Sequence, residues 1–214
     1  MGCPNNIAVL QGIISEPIVL DHMLHGETFY KTAISVMKKT GGRDVIPVIV
    51  SERILEAEIY DGFVKATGTF RSYNYQLDGS SHVRLYLFAD TFESVDAENA
   101  GYINEIELNG FICKKPIYHK TTYGRKTCSI IFAVNRWFGH SDYIPCIATG
   151  RNASYLRKKQ IGTQIRIKGR VRSHEYPKKI SETESVIRVA YDVIIYEMEV
   201  VDGEKCKDQV DNAE

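Results

Sequence analysis

Along this chain apolar and polar residues mostly alternate, and the three-to-four-residue recurrence of an amphipathic helix is rare. In the second half, Ile106, Leu108, Gly110 and Ile112 share one face of a first strand. Cys128, Ile130, Phe132 and Val134 share a face of a second, and Ile144, Cys146 and Ala148 of a third. Ile165, Ile167, Gly169 and Val171 follow in a fourth, and Val189–Val201 supplies the last. A period of two marks strands with one face in a core. The helix-like segments are 152–160, closed by Gly162, and 51–60, closed by Gly62; glycine commonly ends a helix in the left-handed conformation.

The two halves resemble each other. Asn6-Ile7-Ala8-Val9-Leu10-Gln11-Gly12 aligns with Asn104-Glu105-Ile106-Glu107-Leu108-Asn109-Gly110 at a shift of 98, which also places Ile46-Pro47-Val48-Ile49 on Ile144-Pro145-Cys146-Ile147. Slightly longer shifts place Gly68-Thr69-Phe70-Arg71-Ser72 on Gly169-Arg170-Val171-Arg172-Ser173 and Phe92-Glu93-Ser94-Val95-Asp96 on Met198-Glu199-Val200-Val201-Asp202. Four matches in order indicate a duplicated module. Strand-strand-strand-helix-strand-strand within about 100 residues is the layout of a five-stranded Greek-key barrel. Glycines at 12, 68, 110 and 169 suit the tight bends of a small barrel.

Composition changes this picture in one respect. The chain of 214 residues has a formal charge of zero, yet residues 1–101 hold 8 Lys and Arg against 13 Asp and Glu. Residues 102–201 hold 17 against 9, and 202–214 hold 2 against 5. A basic middle segment suggests a polyanionic partner, with a solvated face as the bland alternative. No apolar run reaches the roughly 20 residues that span a bilayer, so no membrane association is expected. Met1 to Asn6 lacks a basic flank followed by an apolar run, so no secretory signal is expected either. Cys3, Cys113, Cys128, Cys146 and Cys206 are odd in number and without C-x-x-C spacing, which fits reduced thiols in a cytoplasm better than disulfides or zinc. The histidines at 22, 25, 82, 119, 140 and 174 have no metal-ligand spacing, and no phosphate-binding glycine loop or nucleophile elbow is present. No enzyme, cofactor, metal or small-molecule substrate is expected.

The fourth strand of the second module carries the sharpest signal. With Ile165, Ile167 and Val171 facing inward, Arg166, Lys168, Arg170 and Arg172 face out. Alternate strand residues lie about 7 Å apart, comparable to successive phosphates of an extended single strand. The competing reading is a solvated, edge-protecting strand. Neither Arg170 nor Arg172 lies on the expected core face, so replacing both should weaken binding without unfolding the protein. Aromatics interleave with the cations: Arg136-Trp137-Phe138 end the second strand, Tyr143 opens the third, and Tyr176 follows the basic strand. Tyr118 and Tyr123 accompany His119, Lys120, Arg125 and Lys126 in the loop between the first two strands. Flat side chains beside Lys and Arg suit the stacking of unpaired bases and the neutralising of phosphates.

Gly110 with Pro116, Gly124, Phe132-Ala133-Val134-Asn135-Arg136-Trp137 and 142–151 (DYIPCIATGR) together resemble the bacterial single-stranded DNA-binding protein family. The likeness continues through Ala153, Tyr155-Leu156, Lys158-Lys159, Gly162, 167–173 (IKGRVRS) and Tyr176, with the primosomal replication proteins as near relatives. It implies an all-β fold of two tandem five-stranded OB-fold barrels, each with one short helix between strands 3 and 4. The modules would be 1–97, acidic and divergent, and 102–201, basic, joined by 98–101 and followed by a disordered acidic tail, 202–214. It implies base stacking by Trp137, Tyr143 and Tyr176, and phosphate contacts from Arg136, Lys168, Arg170 and Arg172. Arg166, Arg151, Tyr123, Arg125, Lys126 and Lys120 complete the expected interface, with Arg71 and Tyr75 where the first module matches Arg172 and Tyr176. The implied function is non-catalytic single-stranded DNA binding in replication, recombination or repair, in a cytoplasmic, nucleoid-associated protein, with RNA left open. A homodimer would give four barrels. The alternative is an OB-fold interaction scaffold or a primosome-type accessory factor. Thr149 stands where the family often has a further aromatic, and the tail lacks the family's Pro-Phe tip.

Overall fold

The computed structural model describes residues 5–55, 62–77, 80–96, 98, 101–136, 139–179 and 185–201. In the first half, β1 (Asn6–Leu24), β2 (Glu27–Met37), β3 (Arg43–Ser51), β4 (Phe63–Leu77) and β5 (Ser80–Ser94) form a closed circuit. β1 pairs with both β2 and β4, β2 with β3, β3 with β5 in parallel, and β5 with β4. The second half contains β6 (Ile103–Ile112), β7 (Ile117–Lys120), β8 (Lys126–Asn135), β9 (Ser141–Thr149), α1 (Gly150–Leu156), β10 (Gln164–Lys179) and β11 (Ser185–Val200). There β6 pairs with β8 and β10, β8 with β9, β9 with β11 in parallel, and β11 with β10.

The period-two patterns place the core where they predict it. Ile106, Leu108, Ile112, Cys128, Ile130, Phe132, Ile144, Cys146, Ala148, Ile165, Ile167 and Val171 are all buried. Each large side chain of this kind contributes about 1.5–3 kcal/mol on leaving water. The barrel is narrow enough that Gly110 could not carry a side chain: a Cβ there would sit 2.2 Å from the Ala133 carbonyl oxygen. Its repeat counterpart, Gly12, would meet the Ser35 carbonyl oxygen at 2.3 Å.

Three expectations need adjustment. The second module has a sixth strand, because the loop expected between its first two strands folds back as β7 on β8. The last strand, expected over Val189–Val201, is Ser185–Val200, with β10 and β11 paired out to Lys179 and Ser185. The helix is Gly150–Leu156 rather than 152–160. Only Ala153 and Leu156 anchor it, and after Leu156 the chain tightens: Lys158 N–H bonds the Tyr155 carbonyl at 3.2 Å and Lys159 N–H the Leu156 carbonyl at 3.0 Å. Gly162, at φ +85°, ends that turn and not the helix. In the first module, residues 52–54 form turns after β3, while 56–60 of the expected helix lie outside the described residues. The tail 202–214 and residues 99–100 of the expected linker lie outside them too.

The two circuits share hydrogen bonds. β1 and β6 pair antiparallel, so eleven strands form one continuous sheet. Ala8 lies opposite Ile106, its own counterpart at the repeat shift of 98, with Asn6 opposite Leu108 and Leu10 opposite Asn104. A local two-fold axis therefore passes between Ala8 and Ile106. Asn6 and Asn104 obey it. The Asn6 side chain brackets the Phe70 backbone, donating to its carbonyl at 2.8 Å and accepting from its N–H at 2.9 Å. Asn104 does the same to Val171 at 2.7 and 2.8 Å. These pairings satisfy backbone groups that would cost about 1–3 kcal/mol each if buried alone.

Candidate nucleic-acid interface

Strand β10 presents its four cations as the alternation requires, but the surrounding carboxylates change what they can do. Arg170 is ion-paired through Nη1 to Asp44 of the other module, and Asp44 is only 1% exposed. Arg172 is bidentate on Asp192, Nε to Oδ1 at 3.0 Å and Nη2 to Oδ2 at 2.6 Å. Arg136 grips Asp142 with Nε at 2.6 Å and with Nη2. The hydrogen bond to Asp142 holds the Arg136 guanidinium above its ordinary pKa, so it stays charged and already neutralised. Arg166 and Lys168 are freer: both approach Glu107, at 3.8 and 3.5 Å, across half-exposed surface where such pairs contribute little.

The Asp44 and Asp142 contacts are counterparts across the two-fold. Asp44 accepts from Ser173 N–H at 3.0 Å, and Ser173 Oγ accepts from Val45 N–H at 2.9 Å. Asp142 accepts from Ser72 N–H at 2.5 Å, and Ser72 Oγ accepts from Tyr143 N–H at 2.9 Å. Lys38, at the Arg136 position of the first module, lies 3.4 Å from Asp44. Each module thus sends a serine to a buried aspartate of the other. Arg136 and Arg170 belong to these two joints, a placement that strand periodicity could not reveal because the partner carboxylates sit far away in sequence.

Three of the aromatic candidates stand more freely. Tyr143 is 47% exposed, Tyr176 39% and Tyr123 98%. Trp137 lies outside the described residues. Tyr75 and Tyr176 line the same cleft between the modules. Tyr75 lies under the Arg84 guanidinium at 5.2 Å, and Arg71 over the Phe88 ring at 4.7 Å with Nε donating to Thr69 at 3.0 Å. Lys120, Arg125, Lys126 and Arg151 are exposed, the first three on the β7–β8 hairpin and Arg151 on α1.

That hairpin and α1 adjoin, with Arg157 over the Tyr118 ring at 4.9 Å, and they carry cations the strand argument passed over. Lys114, Lys115 and Lys158 are exposed, and Lys159 stacks on the Tyr155 ring at 4.2 Å. The signal for them was in the chain: between Glu107 and Glu175 the sole acidic residue is Asp142, which is buried. This end of the second barrel is therefore positive, with no carboxylate near enough to pair with those side chains among the described residues.

Cations without partners beside exposed tyrosines fit a polyanion with flat bases, and the family comparison agrees. Residues 103–200 match the single-strand binding protein family. That match covers the second module and all its candidate residues. Across nearly its whole length the chain shares the fold of the single-stranded DNA binding protein from Thermus aquaticus. The wild-type structure aligns with a TM-score of 0.71 at 15% identity, covering 92% of each chain. A deletion mutant of it aligns at 0.74 and 14%, covering 95% of this chain and 98% of that one. The N-terminal domain of PriB from Thermoanaerobacter tencongensis, described as dimeric, aligns at 27% identity over 44% of this chain and 99% of its own, with a TM-score of 0.37. No curated protein matches the chain in sequence. Among the described residues, no helix is long and apolar enough to cross a membrane, and no group of His, Cys, Asp or Glu could hold a metal ion.

Proposed function

We propose that this protein binds single-stranded DNA without catalysis, as two tandem OB-fold barrels of which the second carries the main interface. The observation that carries this reading is the match of residues 103–200 to the single-strand binding protein family over the module where unpaired cations and exposed tyrosines coincide. Tyr143, Tyr176 and Trp137 stack bases, while Lys168, Arg166, Arg151, Lys120, Arg125 and Lys126 meet phosphates. Tyr123, at the hairpin tip, adds a further platform. Arg136, Arg170 and Arg172 hold the scaffold in shape, and their contribution to phosphate binding is the smaller for it. The setting is the handling of unpaired strands in replication, recombination or repair, in a cytoplasmic, nucleoid-associated protein. Two copies would assemble four barrels, and the exposed Ile7 of β1 and Tyr196 of β11, which line one shallow pocket, supply apolar surface for such a homodimer.

The test is a titration of labelled oligo-dT against wild type and Tyr143→Ala. Binding is expected, and the substitution should weaken it by about 5- to 150-fold, since one stacked base is worth about 1–3 kcal/mol. An absence of binding by the folded wild type overturns the proposal. Wild-type affinity in the folded variant removes Tyr143 from the interface.

A further inference from the structure

Between the modules, on the local two-fold, lies an open cleft of about 350 Å³. Its walls come in equivalent pairs: Tyr75 faces it from the first module and Tyr176 from the second, with Pro47 and Pro145 below. Val83 and Val189 continue the pairing on β5 and β11. A volume of this size suits a small flat group, and apolar walls with a few polar groups are the usual make-up of a ligand site.

The polar groups break the symmetry. Lys31 and Arg84, both of the acidic first module, are the cleft's cations; their counterparts at the repeat shifts, Ser129 and Ala190, are uncharged. Glu16 also lines it, as does Tyr191, whose hydroxyl burial pushes above its ordinary pKa, with Glu16 adding and Arg84 opposing. That hydroxyl stays protonated at neutral pH and can donate to a base edge, while the Glu16 carboxylate can accept from an exocyclic amine. Glu16 repels a polyanion, so phosphate is favoured only beside Lys31 and Arg84, the half-buried and exposed cations of the lining. A planar group with both donors and acceptors fits the middle.

We propose that this cleft takes an unpaired base of a strand passing from the second module onto the first, stacked by Tyr75 and Tyr176, with Lys31 and Arg84 meeting the adjoining phosphates. The proposal rests on the single-strand binding inferred above and adds to it a working role for the acidic module. Stacking of this kind requires bases free of the duplex.

Photocrosslinking with iodouracil-substituted oligo-dT, followed by peptide mapping, tests it directly on the full chain. Adducts are expected on both Tyr75 and Tyr176. Tyr75→Ala should weaken oligo-dT binding by about 5- to 150-fold, the worth of one stacked base, and Tyr75→Phe, which keeps the ring and the fold, should bind as wild type does. Lys31→Gln should flatten the dependence of log K on log salt by about 0.7. Adducts confined to the second module, with Tyr75→Ala and Lys31→Gln binding as wild type does, overturn the cleft while leaving single-strand binding standing. A wild-type protein that binds no oligo-dT overturns both.

Discussion

Replacing Arg170 with alanine separates two roles that strand alternation alone could not tell apart. Its guanidinium is about a quarter exposed, and its partner Asp44 is 1% exposed. Without it, Asp44 keeps the Ser173 N–H at 3.0 Å and Lys38 at 3.4 Å. Breaking a fully buried ion pair by removing one partner costs about 3–5 kcal/mol. Partial exposure and the two remaining donors reduce this to about 1–3 kcal/mol. For a chain of this size each kcal/mol shifts Tm by about 2–4 °C, so the variant should melt roughly 2–12 °C lower. Lys168→Ala is the control: its side chain is 56% exposed and 3.5 Å from Glu107, and its removal should stay within about 0.5 kcal/mol. Thermal and urea unfolding followed by circular dichroism read both. In parallel, Arg170→Ala should leave the salt dependence of oligo-dT binding nearly unchanged, because the charge is already neutralised. An Arg170→Ala protein as stable as wild type, with a flattened salt dependence, would refute the reasoning and return Arg170 to the phosphate track.

Three further outcomes follow from the same geometry. Residues 102–201 alone expose the β6 edge that β1 now covers and deprive Asp142 of Ser72, so the fragment should self-associate in sedimentation; a monomer as stable as the full chain would contradict this. Gly110→Ala places a Cβ 2.2 Å from a backbone oxygen and should lower stability by about 1–3 kcal/mol or prevent folding, read from the urea midpoint. Burial pushes the Cys146 thiol well above 9.0, so its contribution to stability is full below pH 9.0 and is lost as pH climbs through the folded value. Cys146→Ala should therefore show a shallower alkaline loss of stability than wild type, and an identical profile would assign that loss elsewhere.

Much of the fold was legible because a narrow barrel enforces strict alternation. Ile165, Ile167 and Val171 had to point inward once the period was two, and Asn6 and Asn104 announced the repeat on whose axis the modules join. What alternation could not reach was contact between distant segments. Arg170 meets Asp44, and Arg136 shares Asp142 with Ser72, through the β1–β6 pairing, and nothing local to those residues encodes it. The helix boundary was misplaced because Gly162 ends a turn that follows the helix, and a left-handed glycine looks the same in either role. The positive end built by Lys114, Lys115 and 157–159 was legible as a stretch whose sole acid, Asp142, is buried, although strand alternation does not encode a surface assembled from a hairpin and a helix. The charge asymmetry between modules describes bulk surface, and the cleft cations Lys31 and Arg84 run against it.

The central claim is that the protein binds unpaired strands by stacking and neutralisation together. Its most direct test is a titration of one labelled oligo-dT and one duplex of equal length, each at about 50 and 200 mM salt. The single strand should bind more tightly at both, and its log K should fall with log salt by about 0.7 for each phosphate neutralised. Equal affinity for the duplex, or binding of the single strand that ignores salt, would contradict the account.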